Sequence, residues 1–204
     1  MTDSEQQHYF TARPAGDTER RTINIPLAGT TYPVQVAGGV FSGDRIDQGT
    51  GVLLRQVPAP ATTGTFLDLG CGWGPLALTM ALRSPAATVH AVDVNERALD
   101  LTRRNAEAVG VEVRAGLPDS VPEDIRFDLI WSNPPIRIGK KALHELLAGW
   151  LPKLTDTGAA YLVVQRNLGS DSLQRWLGEE FGDLVTTRHA SEKGYRLLRV
   201  SRAD

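Results

Sequence analysis

Phe66-Leu67-Asp68-Leu69-Gly70-Cys71-Gly72-Trp73-Gly74 is the stretch on which the reading of the fold turns. The run from Thr65 to Leu69 is apolar except for Asp68 and predicts a short buried strand. Three glycines follow, each two residues after the last, and the chain then passes into Pro75-Leu76-Ala77-Leu78-Thr79-Met80-Ala81-Leu82. That second run is rich in helix formers, and its proline stands where a first-turn proline is tolerated. A strand, a glycine turn and a helix in succession let a backbone approach a nucleotide-like ligand closely.

The spacing separates two kinds of ligand. A dinucleotide fingerprint places its third glycine three residues after the second, with pyrophosphate on the helix N-terminus. Here the third glycine comes two residues after the second, and Asp68 precedes the first by two. A carboxylate at that point repels pyrophosphate and suits a ligand offering an ammonium or hydroxyl donor. S-adenosylmethionine has no phosphate and carries both a sulfonium and an ammonium. A nicotinamide oxidoreductase is disfavoured by the same spacing.

Outward from this unit the chain alternates strand and helix. Thr88 to Val92 reads as a strand ending at Asp93, and Asn95 caps a helix to about Val109 that stops at Gly110. Val111 to Ala115 is a third strand and Gly116 to Arg126 a loop. Phe127 to Trp131 is a fourth strand, leading into Ser132-Asn133-Pro134-Pro135. A helix from Lys140 to Leu151, a strand from Gly158 to Val164 and a helix from Asp171 to Phe181 follow. Two final strands, Leu184 to His189 and Tyr195 to Ser201, meet at Glu192-Lys193-Gly194. Such alternation predicts a mostly parallel sheet covered on both faces, with one antiparallel strand from the closing hairpin.

Upstream, Thr22 to Leu27 and Thr31 to Val36 alternate about Ala28-Gly29-Thr30 and predict an N-terminal β-hairpin that covers the main unit. The glycine-rich loop from Gly38 to Thr50 reads either as a solvated connection or as a lid in which Phe41 excludes water, and Gly51 to Val57 reads as a helix. Residues 1–21 are polar and mixed in charge and are expected to be partly disordered, with His8-Tyr9-Phe10 docked on the domain.

The 204 residues suit one domain, here 22–204, and the net charge of −2 gives no global nucleic-acid signature. The single cysteine, Cys71, excludes an internal disulfide and fits a reducing cytoplasm. No secretory segment or membrane span is read, and no histidine has metal-ligand spacing, so no metal is expected. Oligomeric state is unread.

Two further features carry chemistry. Asp93 closes its strand about 20 residues after the glycine loop, where an acid takes ribose hydroxyls; helix capping is the plainer alternative. In Asn133-Pro134-Pro135-Ile136 the prolines remove two donors and stiffen the backbone, leaving carbonyls without helical partners. With the Asn133 side-chain carbonyl they can accept both hydrogens of an amino group. That turns an otherwise delocalised nitrogen lone pair toward an electrophile, so the reaction needs mainly positioning and electrostatics.

Asp68-x-Gly70-x-Gly72-x-Gly74, Asp93 and Asn133-Pro134-Pro135-Ile136 together resemble class I S-adenosylmethionine-dependent methyltransferases acting on planar amino groups. With Gly39-Val40-Phe41-Ser42, Asp47-x-Gly49-Thr50 and His8-Tyr9-Phe10 the chain resembles the small methyltransferase domain group, which includes bacterial 16S ribosomal RNA guanine-N2 methyltransferases. The resemblance covers about residues 8 to 201. It implies a Rossmann-like seven-stranded sheet with an antiparallel last strand. It implies S-adenosylmethionine held by Asp68, Gly70, Cys71, Gly72 and Gly74 at its amino-acid part, by Asp93 and Val94 at the ribose, and by Ala115, Gly116 and Leu117 at the adenine. Phe41, Asp47 and Thr50 enclose it, Asn133 also contacts it, and Asn133, Pro134, Pro135 and Ile136 form the catalytic corner. Ile136 stands where an aromatic is often found, so apolar packing is expected to replace stacking. The group's ribosomal RNA enzymes are often two-domain, so different RNA recognition is expected here. Arg137, Lys140 and Lys141 with Arg13, Arg20 and Arg21 are candidates for a phosphate-contacting rim. The expected substrate is ribosomal RNA guanine; a protein glutamine amide, a small-molecule amine or a non-catalytic cofactor-binding module are the alternatives.

Overall fold

Thr65–Leu69 is a strand at the middle of a seven-stranded sheet in the computed structural model, which describes residues 20–40 and 45–203. In chain order the strands are β1 (Arg20–Leu27), β2 (Thr30–Ala37), β3 (Thr65–Leu69), β4 (Thr88–Val92), β5 (Arg114–Gly116), β6 (Phe127–Ser132), β7 (Leu154–Gln165), β8 (Leu184–Glu192) and β9 (Tyr195–Arg202). The helices are α1 (Gln48–Gln56), α2 (Pro75–Arg83), α3 (Glu96–Val109), α4 (Lys140–Trp150) and α5 (Ser170–Glu180). The large sheet runs β5-β4-β3-β6-β7-β9-β8. All of its pairs are parallel except those made by β9, which lies antiparallel between β7 and β8. Strand order reverses between β3 and β6, and a crevice opens at their carboxyl ends.

Strand pleating sends alternate residues to opposite faces. Leu67, Leu69, Ile130, Leu162 and Val164 pack with Leu143, Leu147, Leu173 and Leu177 of α4 and α5. Phe66, Trp131, Tyr161, Val163 and Leu197 pack on the other face with Val52, Leu53, Leu76 and Met80 of α1 and α2. A third cluster joins the hairpin to α2 and α3 through Ile25, Leu27, Val34, Val36, Trp73, Leu78 and Leu101. The buried Asn105 fastens it: its side chain accepts from Gln35 N at 2.6 Å and donates to Gln35 O at 2.9 Å and to Trp73 O at 3.0 Å. The cover is thereby tied to the glycine loop itself.

Several boundaries differ from expectation for local reasons. Both hairpin turns are two residues long, Ala28-Gly29 and Lys193-Gly194, with φ of 49°, 92°, 48° and 82°. Positive φ at both turn residues suits the twist of the flanking strands, so Thr30 and Glu192 belong to strands. α1 begins at Gln48 because Asp47 caps it, bonding Gly49 N at 2.8 Å and Thr50 N at 3.3 Å. β5 is limited to Arg114–Gly116, while Val111 and Val113 pack on the core without joining the ladder. β7 starts at Leu154, ahead of an irregularity opposite Phe127 and Leu129. Gly158 is required near it, since a Cβ there would lie 2.6 Å from Phe127 O. The expected capping of α3 by Asn95 and its stop at Gly110, with φ 78°, are observed. The expectations for residues 1–19, including His8-Tyr9-Phe10, and for Phe41 in the loop lie outside the described residues.

Candidate active site

The glycine loop is built from three left-handed turns of backbone, with φ of 78° at Gly70, 58° at Gly72 and 95° at Gly74. Only glycine enters that region at little cost. Gly70 N and Cys71 N both donate to Val92 O, at 2.8 and 3.0 Å, and so hang the loop on the end of β4. Thr102 Oγ1 of α3 donates to Gly72 O at 3.0 Å. Cys71 is buried, and burial pushes its thiol well above the usual thiol range. It therefore stays protonated and serves as packing rather than as a nucleophile.

Asp68 lies under this loop and is 1% exposed. Its Oδ2 accepts from Ala77 N at 2.9 Å, satisfying a donor in the first turn of α2. Its Oδ1 is buried with no hydrogen-bond partner among the described residues. Burial above all, opposed by the Ala77 hydrogen bond and aided by nearby Asp93, pushes the carboxyl up to about 8. A half-satisfied buried acid beside a cleft is a site for a cationic group.

Asp93 has a structural task in addition to the ribose role expected of it. Its Oδ2 accepts from Gly72 N and its Oδ1 from Asn95 N, both at 2.9 Å, so it clamps the glycine loop to the start of α3. Burial raises its carboxyl above the usual range against those hydrogen bonds. Val94 is 47% exposed and Leu117 41% exposed. They stand just beyond the paired residues Val92 and Gly116 at the ends of β4 and β5, two open apolar side chains at the carboxyl edge of the sheet. Ala115 O is held by the Arg103 guanidinium at 2.8 and 3.2 Å. Gly116 admits the Ser120 hydroxyl, which would lie 2.1 Å from a Cβ there.

On the other side of β3, Ser132 Oγ donates to Leu69 O at 2.7 Å and locks the ends of β3 and β6 together. The Asn133 amide nitrogen then donates to Asp47 Oδ1 and Oδ2, at 3.0 and 3.1 Å, and lies 3.1 Å from Thr50 Oγ1. A carboxylate only accepts, so the amide must present its nitrogen to Asp47 and keep Oδ1 for a ligand. Asp47, Thr50, Asp68, Gly70, Cys71, Gly72 and Asn133 line one cleft with Trp73, Pro75 and Leu76. The Asp47 and Thr50 expected to enclose the cofactor thus also hold the corner.

The corner differs from expectation in two respects. Its proline carbonyls do have partners: Pro134 O accepts from Ile136 N at 2.8 Å and Pro135 O from Ile138 N at 3.1 Å. The first bond closes a tight turn about Pro135 and the second belongs to the single 3-10 turn, Ile136–Ile138, so one lone pair of each carbonyl is engaged. Asn133 Oδ1, which has no donor among the described residues, is therefore the principal open acceptor. Ile136 is partly buried and packs on one side against the core cluster of β6, β7 and α4. The aromatic near the corner is Tyr195 of β9: a Cβ on Gly49 would lie 3.0 Å from Tyr195 Cε1 and 3.3 Å from Asn133 Nδ2. No local signal marked Tyr195, because its position depends on β9 inserting between β7 and β8.

The candidate rim is only partly assembled. Arg20 pairs with Asp100 of α3 at 2.8 Å and belongs to the hairpin joint. Lys141 lies 3.8 Å from Glu145 along α4. Arg13 and the Arg137 side chain lie outside the described residues.

A cleft lined by the buried Asp68 carboxyl, the glycine loop and the Asn133 amide fits a donor that carries an ammonium and a sulfonium. The chain is an S-adenosylmethionine-dependent methyltransferase with a Rossmann-like fold. The family model described as "Methyltransferase small domain" matches residues 31–199, and the chain belongs to that family.

Bacillus subtilis (strain 168) YbxB is 30% identical over 200 residues, covering 96% of this chain and 98% of that protein. Ribosomal RNA small subunit methyltransferase C of Escherichia coli (strain K12) is 32% identical over 198 residues, covering 94% of this chain and 56% of that protein. The fold matches the solved T. thermophilus 16S rRNA N2 G1207 methyltransferase (RsmC), in complex with AdoMet and guanosine. That match has a TM-score of 0.76 and 22% identity and covers 94% of this chain and 52% of the other. The chain thus spans nearly the whole of YbxB and about half of these methyltransferase C relatives. Among the described residues no helix is long and apolar enough to cross a membrane.

Proposed function

We propose that this methyltransferase acts on the exocyclic N2 amino group of a guanine in ribosomal RNA, in the cytoplasm, with residues 22–204 working as one domain. The observation that carries the reading is the Asn133 amide, turned by Asp47 and Thr50 so that its oxygen has no donor among the described residues. Bound S-adenosylmethionine supplies an electrophilic methyl group on a sulfonium. Asn133 Oδ1 accepts one hydrogen of the target amino group, and the free lone pair of Pro134 O accepts the other. The nitrogen lone pair, drawn out of conjugation, forms the new N–C bond as the S–C pair withdraws to sulfur. The extra proton on nitrogen leaves to water once the amine is methylated. The corner supplies positioning and electrostatic stabilisation, with no covalent step of its own. A guanine within a helix cannot reach Asn133, so the target is unpaired or flipped out. The names of the ribosomal RNA small subunit methyltransferase C relatives support this substrate class.

The test offers tritiated S-adenosylmethionine to 30S subunits, free 16S ribosomal RNA and a release factor. Label in RNA, recovered as N2-methylguanosine on digestion, is the expected result. Label confined to protein would replace RNA with a glutamine amide as acceptor. Cofactor binding without transfer to any acceptor would leave a binding module.

A further inference from the structure

A second cleft opens at the carboxyl end of β7, lined by Gln165, Arg166, Asn167, Asp171 and Gly194, with a volume of about 430 Å³. We propose that it binds the nucleotide flanking the target guanine, with Arg166 on a phosphate and the Gln165 and Asn167 amides on the base. This inference rests on the RNA reading above.

Placement is the first argument. β7 is the direct neighbour of β6, and Ser132 pairs with Leu162, so Gln165 leaves the sheet level with the diproline corner. Gln165 in turn pairs with Tyr195, whose ring approaches Gly49 beside Asn133. The cleft is therefore displaced from the corner by one or two strand spacings, about 5–10 Å. That is a distance a neighbouring nucleotide can span.

Charge is the second. The Arg166 backbone N–H donates to Gly194 O at 2.8 Å, which fixes the segment, while its exposed guanidinium has no carboxylate partner among the described residues. The acid of this cleft, Asp171, is engaged by Arg196, through a hydrogen-bonded ion pair, and by Arg188 at 3.9 Å. Glu192, beyond the turn, is taken by Arg55 and Gln56, each at 2.8 Å. Both nearby carboxylates are thus already neutralised, and Arg166 is left for an anion. An exposed guanidinium suits a phosphate oxygen pair.

The lining is the third. The Gln165 and Asn167 amides each bring donors and an acceptor, the equipment that reads a base edge. Leu168, next in sequence, is 40% exposed and offers a surface for a base to lie on. A Cβ at Gly169 or Gly194 would meet nothing within 4 Å, so the walls there are open. The volume lies within the roughly 300–1,000 Å³ of ordinary ligand sites.

The test uses the intact chain and its Arg166→Ala, Arg166→Lys and Asn167→Ala variants. Binding of a fluorescein-labelled ten-residue single-stranded oligoribonucleotide is measured against salt, alongside tritium transfer to free 16S ribosomal RNA. Arg166→Ala is expected to weaken oligoribonucleotide binding about tenfold and to reduce the salt slope by about 0.7, the value of one single-strand phosphate contact. KM for RNA rises, affinity for S-adenosylhomocysteine is unchanged, and Arg166→Lys recovers part of the loss. Asn167→Ala changes the dependence on base sequence more than the salt slope. If the wild type methylates RNA and Arg166→Ala keeps its affinity and slope, the cleft assignment is overturned while the RNA reading stands. If the wild type neither binds the oligoribonucleotide nor labels RNA, both are overturned.

Discussion

Asn133→Ala lowers kcat by two to three orders of magnitude while affinity for S-adenosylhomocysteine stays within about threefold of wild type. The size follows from removing a preorganised group whose oxygen acts on the reacting nitrogen. The selectivity follows from geometry: Asn133 reaches the cleft from β6, whereas the glycine loop and Asp68 come from β3 and are held by Val92, Ala77 and Asp93. Single-turnover transfer and calorimetric titration separate the two quantities. Asp47→Ala belongs to the same experiment and falls between the two proteins in rate. It frees the Asn133 amide to rotate and also removes the α1 cap, which costs about 1 kcal/mol of stability. A large loss of cofactor affinity in Asn133→Ala, with kcat intact, would make Asn133 a cofactor ligand alone and remove it from the acceptor corner.

The second large effect concerns Asp68. Burial holds its carboxyl at about 8 in the folded protein against an ordinary 3.8, so the folded chain keeps a proton that the unfolded chain releases. Its contribution to stability is therefore fully present below about pH 4 and is lost as pH rises toward 8. A bound ammonium or sulfonium favours the carboxylate, so binding below pH 8 expels that proton. Affinity for S-adenosylhomocysteine is expected to rise with pH by up to about tenfold per unit between roughly pH 6 and 7.5. Asp68→Asn is expected to lose affinity by about 10²-fold at pH 7.5 and to abolish the pH dependence, since a buried charge pair forfeits 2–5 kcal/mol on truncation. The same variant keeps its melting temperature between pH 5 and 9, where the wild type declines. Parallel pH profiles for the two proteins would place the cation elsewhere.

What could be read from the chain was whatever is encoded within one turn or strand. The Asn95 cap and Gly110 stop of α3 rest on side-chain and backbone chemistry within their own helix, and the extent of β4 rests on one apolar run. The glycine loop was legible for the same reason. Turn lengths were not, because Ala28 and Lys193 adopt positive φ that their residue types do not advertise. In the site, the acids and the diproline could be named, but their partners could not. Asn133 and Asp47 stand 86 residues apart, and only the packing of α1 against β7 and β9 brings them together. Asp93 reads as a ribose ligand or a cap, yet its clamp on Gly72 needs the loop folded back across the end of β4. Ile136 was placed at the corner by the resemblance, and its packing against the core cluster depends on the 3-10 turn that follows the prolines.

The arrangement of donor and acceptor about Asn133 is tested most directly by a crystal structure with S-adenosylhomocysteine and guanosine bound together. The account predicts the guanine amino nitrogen within about 3 Å of Asn133 Oδ1, at hydrogen-bonding distance, and the sulfur on the far side of that nitrogen, above Gly70 to Gly74. A homocysteine chain lying away from Asp68, or a guanosine bound with its amino group in solvent and out of reach of Asn133 Oδ1, would contradict it.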